Sequence, residues 1–199
     1  MDTNLITTEI LKTLWWVIPI ALIMAILRSP WFKGLVGESL VKLAAKLRLP
    51  ASKYHRLHNV TLPTPDGTTQ IDHIFVSRYG IFVVETKNMK GWIFGGERQA
   101  QWTQKIYKKT FKFQNPLRQN YKHVKALESA LGVPPEHIHS VVVFTGASRF
   151  KTPMPASVTW GAQVPHFRPK TQGVVGRKCL KRLICAARTS QAAVVSRES

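Results

Sequence analysis

The pattern of apolar and polar positions divides the chain into an apolar N-terminal run, a central region of helix and strand patterns, and a basic C-terminal stretch. The first run is uncharged from Thr13 to Leu27, and extending it back to Leu5 admits only Glu9 and Lys12. A helix of about 20 apolar residues spans a bilayer. The run therefore predicts a transmembrane helix, with a buried or interfacial helix as the alternative.

The flanks of this run indicate its orientation. The first residues include Asp2 and Glu9 and lack a basic region, which argues against a cleaved signal peptide. Basic residues follow the run, beginning with Arg28 and Lys33, and such residues stay on the cytoplasmic side. We predict that residues 1–28 form a single-pass anchor in an inner or plasma membrane, and that the rest of the chain is cytoplasmic.

Residues 34–146 carry the periodicities of an α/β domain. The segment GLVGESLVKLAAKL has helical apolar spacing, and residues 54–62 form a strand pattern before the turn signal PTPDG. A hairpin is predicted for QIDHIFVSRYGIFVVETKN, and short strands for GWIFGG and AQWTQKIY. A second helix runs from Asn115-Pro116 to Gly132, before a buried strand at 139–146. This order predicts a mixed sheet with helices on both faces.

Two carboxylates share one face of the predicted hairpin. A turn at Tyr79-Gly80 places position 72 opposite position 87, whereas a four-residue turn places it opposite position 85. In both registers Asp72 shares a face with Glu85 and Lys87, because side chains alternate along a strand. Both faces of the hairpin are otherwise apolar, which places the three charges at one end of a buried strand pair.

Close carboxylates repel each other and raise each other's pKa unless a cation joins them. A hard ion such as Mg²⁺ binds through one or two carboxylates, with waters and substrate phosphate as further ligands. A neighbouring lysine can stabilise the charge of a phosphoryl group or hold an attacking water. The spacing fits this chemistry and fits equally a structural Asp-Lys-Glu cluster.

The charge balance narrows the class of partner. The chain has 29 Lys+Arg and 10 Asp+Glu, a formal net charge of +19. This balance predicts a polyanionic partner, either nucleic acid or an anionic membrane surface. The segment KIYKKTFKF alternates basic and aromatic residues, so Lys105, Lys108, Lys109 and Lys112 are candidate nucleic-acid contacts. The alternative is a solvated edge strand protected by its lysines.

Several separated motifs resemble one known family. Asp72 and the tripeptide ETK at 85–87 are similar to the D…(D/E)xK signature of restriction-type nucleases. Together with VGES, Trp102 and FQNPLRQNYKH, the stretch TQIDHIFVSRYGIFVVETKNMKGWIFG resembles the nuclease-related domain (NERD) family, from about Gly34 to Thr145. The resemblance implies a restriction-endonuclease-like α/β fold, in which a mixed sheet is flanked by helices, and a nuclease function.

The same resemblance implies roles for individual residues. Asp72 and Glu85 would be ligands of Mg²⁺ or Mn²⁺, and Lys87 would be the catalytic lysine. Glu38 would point at the same metal from the first core helix. A glutamate near a helix N-terminus is also favoured for electrostatic reasons alone.

Three further polar residues lie close to these positions in sequence. Gln119 and His123 are four positions apart and share a helix face. Gln119 is expected to order a water or contact DNA, and His123 to be a polar neighbour. His73 lies on the opposite strand face from Asp72, where a structural role is expected.

Residues 147–199 form a basic, Pro-containing tail. Its Cys179 and Cys185 are the only cysteines of the chain, so the four-cysteine zinc module that some relatives carry is not expected. Apolar residues from Val175 to Ala187 form a helical stripe among Arg and Lys. This stripe predicts a basic amphipathic helix on lipid or nucleic acid, or else a poorly ordered tail.

These features predict a membrane-anchored, metal-dependent nuclease that hydrolyses phosphodiester bonds in nucleic acid, with DNA as the expected substrate. Two alternatives are a non-catalytic nucleic-acid-binding module of the same fold and a membrane-tethered interaction protein whose charge binds lipid. The set of Asp72, Glu85 and Lys87 favours the enzyme, because binding alone needs no clustered carboxylates facing phosphate.

Overall fold

The computed structural model describes residues 3–161. Its elements are α1 (Thr3–Arg28), α2 (Pro30–Arg48), β1 (Tyr54–Thr64), β2 (Gly67–Ser77), β3 (Gly80–Asn88), β4 (Gly91–Phe94), β5 (Gln101–Ile106), β6 (Lys109–Gln114), α3 (Pro116–Leu131), a 3-10 turn (Pro135–His137), β7 (Ile138–Thr145), β8 (Ser148–Phe150) and β9 (Val158–Trp160). The mixed α/β class predicted from the sequence is confirmed. The predicted helix around Cys179 and Cys185 lies outside the described residues.

The strands form two mixed sheets. The first has the order β1-β2-β3-β7-β9, in which β1, β2 and β3 are antiparallel neighbours and β7 and β9 are added in parallel. The second has the order β6-β5-β4-β8. The sequence pattern left the region after Gly146 unassigned, yet β8 and β9 lie there. Both are three residues long, too short for a periodic signal.

The hairpin has the second of the two registers drawn from the sequence, but a two-residue turn closes it instead of a four-residue one. Ser77 pairs with Gly80, so the turn residues are Arg78 and Tyr79 rather than Tyr79 and Gly80. Gly80 adopts a φ of 138°, where a side chain would be strained. The resulting register, with His73 opposite Val84, continues to place Asp72 across from Glu85.

The first sheet is covered on both faces. On one face α3 packs over a buried cluster of Val60, Leu62, Ile71, Ile74, Val76, Ile81, Val83, Val124, Ala126, Leu127, Leu131 and Ile138. On the other face, Val41 and Ala45 of α2 and Leu49, which directly follows the helix, join Tyr54, Phe75, Phe82, Val84, Val141 and Val143. The prediction of helices on both faces is therefore confirmed, and along β3 the buried residues alternate between the two faces as the pleat requires.

The second sheet packs on its own buried cluster. Trp102 of β5 is fully buried and stacks on Phe144 of β7, with ring centroids 6.0 Å apart. Its indole Nε1 donates a hydrogen bond of 3.0 Å to the Gly96 carbonyl. A Cβ at Gly95 would collide with the Trp102 ring, so the glycine allows the close contact. The tryptophan of the sequence motif is thus a core residue.

The N-terminal helix α1 exposes the apolar side chains that are described from Leu14 to Leu27, with Ile18 at 67%. Ser29 interrupts the helical run and accepts the N–H of Phe32 at 3.1 Å, which caps α2. Within residues 3–161 no single helix is long and apolar enough to cross a membrane. Leu14–Arg28 and Pro30–Leu47 meet that requirement only as a bent pair, by length and composition alone. A single spanning helix therefore stays a prediction.

A glycine brings α2 close to the ends of β3 and β7. A Cβ built at Gly37 would lie 2.7 Å from the Asn88 Cβ and 2.9 Å from the Thr145 Oγ1. Only a residue without a side chain permits this approach. The VGES segment thus combines a helix contact at Gly37 with a carboxylate at the next position, Glu38.

We expect Gly37→Ala to destabilise the protein by about 1–3 kcal/mol, because the added methyl must displace α2 from β3 and β7. Gly34→Ala is the matched control, since nothing lies within 4 Å of a Cβ built there. This second variant should be neutral or gain up to about 1 kcal/mol from helix propensity. Melting temperatures of the two variants, followed by circular dichroism, measure the difference. Equal stability of both variants would show that the α2 approach carries no packing constraint.

Candidate active site

Five polar side chains meet at one end of the β2–β3 strand pair, on the face covered by α3. The Lys87 ammonium Nζ lies 2.7 Å from the Glu85 Oε1 and donates to the Gln119 Oε1 at 2.9 Å. His123 Nε2 lies 3.2 Å from the Glu85 Oε2. Asp72 lies across the strand pair from Glu85. The structure therefore brings together Asp72, Glu85, Lys87 and Gln119, all of which were candidates from the sequence.

Glu85 is a buried carboxylate with both oxygens paired. It is 3% exposed, with Lys87 on one oxygen and His123 on the other. Burial raises the pKa of Glu85, but the hydrogen bond from His123 and the charge and hydrogen bond of Lys87 outweigh it, so the pKa lies below its ordinary value. The Glu85 side chain is therefore ionised at neutral pH.

Asp72 has the opposite electrostatic environment. Burial and then the negative charge of Glu85 raise its pKa from 3.8 to about 6. The backbone N–H of Thr86 donates to the Asp72 Oδ2 at 2.9 Å and opposes this shift. Simultaneous ionisation of Asp72 and Glu85 is thus disfavoured. Binding of a cation or a proton at the pair would relieve the repulsion.

Lys87 is held between an anion and an amide. Its ammonium has three N–H donors, and contacts with Glu85 and Gln119 engage two of them. The side chain is 24% exposed, so Lys87 is only partly buried. The arrangement leaves one donor for a group that enters the site.

His123 has a role in the site that the sequence did not predict. It was expected to be a polar neighbour, but it contacts Glu85 directly, and its Nδ1 lies 2.8 Å from the Thr69 Oγ1. If Nε2 donates to the carboxylate, the Thr69 hydroxyl donates to Nδ1 of a neutral ring. The signal was the spacing of four residues from Gln119, which places both side chains on the α3 face that covers the sheet.

Glu38 acts on this cluster through its charge. It is half-buried on α2, and its Oε2 lies 4.0 Å from the Lys42 Nζ. Its negative charge contributes to raising the pKa of Asp72. Glu38 therefore adds to the negative potential at Asp72.

Two asparagines of the FQNPLRQNYKH motif hold α3 in place. Asn115 caps the helix by accepting the Leu117 N–H at 2.9 Å, and its Nδ2 donates to the Gln99 carbonyl at 2.7 Å. Asn120 is fully buried and donates to the Val83 carbonyl at 2.9 Å. The motif thus contains residues that position the helix as well as Gln119 and His123, which reach the site.

His73 lies on the other face of the strand, as expected. Its Nδ1 is 2.9 Å from the Nδ1 of His58, so one ring donates and the other accepts. Burial and then the charges of His58 and Lys42 lower the pKa of His73 to about 3. The ring is therefore neutral in the folded protein and separate from the carboxylate cluster.

The four candidate lysines of the basic segment belong to the β5–β6 hairpin and are all exposed. Lys105 pairs with Thr110 and Lys112 with Thr103, which places these two lysines on one face of the sheet. Lys109 points to the other face, and Lys108 is in the turn. The segment thus divides its charge between two faces.

The donor set fits one class of metal ion. In the described part of the chain, no group of three or more His, Cys, Asp or Glu side chains is arranged to hold a metal. Asp72 and Glu85 supply two carboxylates, whose repulsion a divalent cation would relieve. This pair suits an ion such as Mg²⁺ that takes its other ligands from water and phosphate, rather than an ion in a closed protein cage.

Comparison with known proteins identifies the family. Residues 33–145 match the nuclease-related domain (NERD), and the chain belongs to this family. The restriction-endonuclease-like placement is consistent with that membership. The chain is 55% identical over 100 residues to the uncharacterized protein pXO1-01 of Bacillus anthracis. That match covers 50% of this chain and 47% of the relative, so the chain spans about half of the relative's length. No solved structure matches the chain.

We expect Asp72→Asn to stabilise the metal-free protein at neutral pH by about 1–3 kcal/mol, because it removes a disfavoured buried charge. The pKa of Asp72 in the folded protein, about 6, exceeds its ordinary value of 3.8. The free energy of unfolding of the wild type therefore falls as the pH rises from 3.8 to 6. The gain should be full above pH 6 and should disappear below pH 3.8. Melting temperatures of wild type and variant across this range measure the gain.

Glu85→Gln is the contrasting variant, because it removes a charge that Lys87 and His123 both contact. It should destabilise the protein by about 3 kcal/mol. A loss of stability in Asp72→Asn equal to that in Glu85→Gln would show that Asp72 is a paired structural carboxylate.

Proposed function

We propose that this protein is a metal-dependent nuclease that hydrolyses phosphodiester bonds in DNA. The proposal rests on one observation, the cluster of Asp72, Glu85 and Lys87 at the end of a buried strand pair in a nuclease-related domain. Two carboxylates of different proton affinity beside an ammonium are suited to hold a cation against a phosphate.

Asp72 and Glu85 would hold Mg²⁺ or Mn²⁺, which would neutralise phosphate charge and lower the pKa of a bound water. Glu85 is already ionised and oriented by Lys87 and His123. Asp72 must lose its proton before it can bind a cation, so the pKa of about 6 makes the site weaker in mild acid. Glu38 adds negative potential that favours a cation at Asp72.

Lys87 is the residue that would contact the reacting phosphate or the attacking water. Its third N–H can donate to a non-bridging phosphate oxygen or orient the attacking water, as its charge is opposite to the charge that develops there. Gln119 holds the ammonium at 2.9 Å and limits its rotation. His123 and Thr69 hold Glu85 from the other side and are positioning residues.

The charge of the chain supports a nucleic-acid substrate. A net charge of +19 attracts a polyphosphate and speeds its encounter with the site. Exposed lysines on β5 and β6 provide sequence-independent contacts to the phosphate backbone.

A second candidate function is a non-catalytic nucleic-acid-binding domain of the same fold. The observation in its favour is that Lys87 and His123 already occupy both oxygens of Glu85. A metal at Glu85 would have to share or displace one of these contacts. Cleavage assays separate the two functions.

Full-length protein in detergent should cleave linear, circular or single-stranded DNA with Mg²⁺ or Mn²⁺ and lose this activity in EDTA. Lys87→Ala should lower the cleavage rate by about 100-fold or more, because it removes electrostatic stabilisation of the transition state. Lys90→Ala is the matched control, an exposed lysine three positions along the same segment. DNA binding by Lys87→Ala, measured in EDTA, should change little.

Metal-independent cleavage, or equal rates for Lys87→Ala and Lys90→Ala, would contradict the proposed catalytic role. Absence of cleavage of all three DNA forms, with DNA binding retained, would favour the non-catalytic domain.

We also propose that α1 anchors the protein in a membrane and leaves the nuclease domain in the cytoplasm. The support is the exposed apolar surface of α1, including Trp15 and Trp16 at 63% each. Tryptophans of this kind suit the membrane–water interface, and Pro19 is tolerated in a membrane helix.

Full-length protein should stay in the membrane fraction through high-salt and carbonate washes, since an inserted helix is not held by charge. The double variant Ile18→Lys, Ile23→Lys should move to the soluble fraction, because each central lysine costs about 3 kcal/mol on insertion. Release of the wild type by salt alone would show an electrostatic, peripheral association.

A further inference from the structure

A row of side chains crosses all four strands of the second sheet. Trp92 of β4 pairs with Lys105 of β5 on one side and with Arg149 of β8 on the other. Lys105 in turn pairs with Thr110 of β6. Directly paired residues point to the same face of a sheet, so these four side chains lie side by side on one face.

This outer face is basic and contains an accessible indole. Trp92 is 46% exposed, and the Lys151 ammonium lies 4.6 Å from its ring centroid. Lys112 lies on the same face, two residues after Thr110 in β6. The four strands contain no Asp or Glu. The face therefore carries one tryptophan and four cations, of which Lys105, Arg149 and Lys151 lie next to the indole.

The opposite face of the same sheet provides its core. Ile93 and Trp102 are fully buried there against Val142, Phe144 and Val158. The core is thus complete without Trp92, whose side chain remains nearly half exposed. An aromatic ring with cations on several sides is a surface suited to a ligand with both flat rings and negative charge.

The second sheet continues from the strands of the candidate active site. The Met89 and Gly91 N–H groups donate to the Thr145 and Ala147 carbonyls, so β4 and β8 extend the β3–β7 pair. Trp92 is five positions after Lys87, which limits the separation of their Cα atoms to about 17 Å. This separation corresponds to the length of a few nucleotides of an extended strand.

We propose that this outer face binds single-stranded nucleic acid, with a base stacked on Trp92 and phosphates on Lys105, Lys112, Arg149 and Lys151. Only an unpaired base offers its ring face, because the bases of a duplex are stacked on each other. Stacking would displace the Lys151 ammonium from the ring toward a neighbouring phosphate. The inference rests on the proposed function and specifies its substrate: a strand with an unpaired segment next to the scissile bond.

The test measures binding in EDTA, where cleavage is blocked. Full-length protein in detergent is titrated into a fluorescent single-stranded oligonucleotide or a hairpin duplex of equal length, at several salt concentrations. Trp92→Ala should weaken single-strand binding by about 10-fold and duplex binding much less, and Trp92→Phe should restore most of the affinity. Trp160→Ala is the matched control, since Trp160 is 49% exposed on β9 of the other sheet.

Lys105→Gln should reduce the salt dependence of binding to both DNA forms, because it removes one phosphate contact. Equal affinities of Trp92→Ala and Trp160→Ala for the single strand would overturn the stacking site. Trp92-dependent binding to phosphatidylglycerol nanodiscs, with no Trp92 effect on DNA, would assign the face to lipid and also overturn it.

The two proposals fail in different ways. If no condition gives cleavage but single-strand binding depends on Trp92, the catalytic proposal fails and the binding site stands. If DNA is cleaved but Trp92→Ala binds the single strand as wild type does, the binding site alone fails. With both correct, Trp92→Ala raises KM for single-stranded DNA and leaves kcat near the wild-type value, whereas Lys87→Ala lowers kcat.

Discussion

The pairing of Glu85 is the interaction on which the geometry around the site depends. A buried carboxylate costs several kcal/mol unless charged or hydrogen-bonding partners compensate it. Lys87 comes from the same strand as Glu85, but His123 comes from α3. Pairing both Glu85 oxygens therefore requires α3 to lie over the sheet in one particular orientation about its axis. Asn120 enforces the same placement through its bond to the Val83 carbonyl. The helix that covers the core and the chemistry of the site are therefore positioned together.

The two carboxylates of the site are distinguished by their surroundings. Glu85 has two partners that lower its pKa, whereas Asp72 has a backbone N–H, a neighbouring anion and burial, and its pKa rises to about 6. Pairs of acids whose proton affinities are driven apart are typical of sites with divided roles. Here Glu85 is ionised and held by Lys87 and His123, whereas Asp72 keeps its proton up to a pH of about 6.

Much of the fold follows from local sequence. Asn115, Pro116 and Gly132 delimit α3, because capping and backbone conformation involve only neighbouring residues. The alternation of β2 and β3 correctly placed Asp72, Glu85 and Lys87 on one face in both of the registers drawn from the sequence. The pair of His123 with Thr69 spans 54 positions of sequence and has no local signal. The strands β8 and β9 were missed for a related reason, since both are short and gain their stability from neighbouring strands.

The sequence by itself determined the class of fold, the family, the positive charge and the identity of the central polar residues. These properties depend on composition, spacing within an element and recognisable motifs. Tertiary structure alone decided that His123 contacts Glu85, that Gly37 lets α2 approach β3 and β7, and that Trp92 lies between Lys105 and Arg149. Such contacts depend on strand register, helix rotation and the order of strands in a sheet. Those are properties of the packed chain, and no short segment of sequence encodes them.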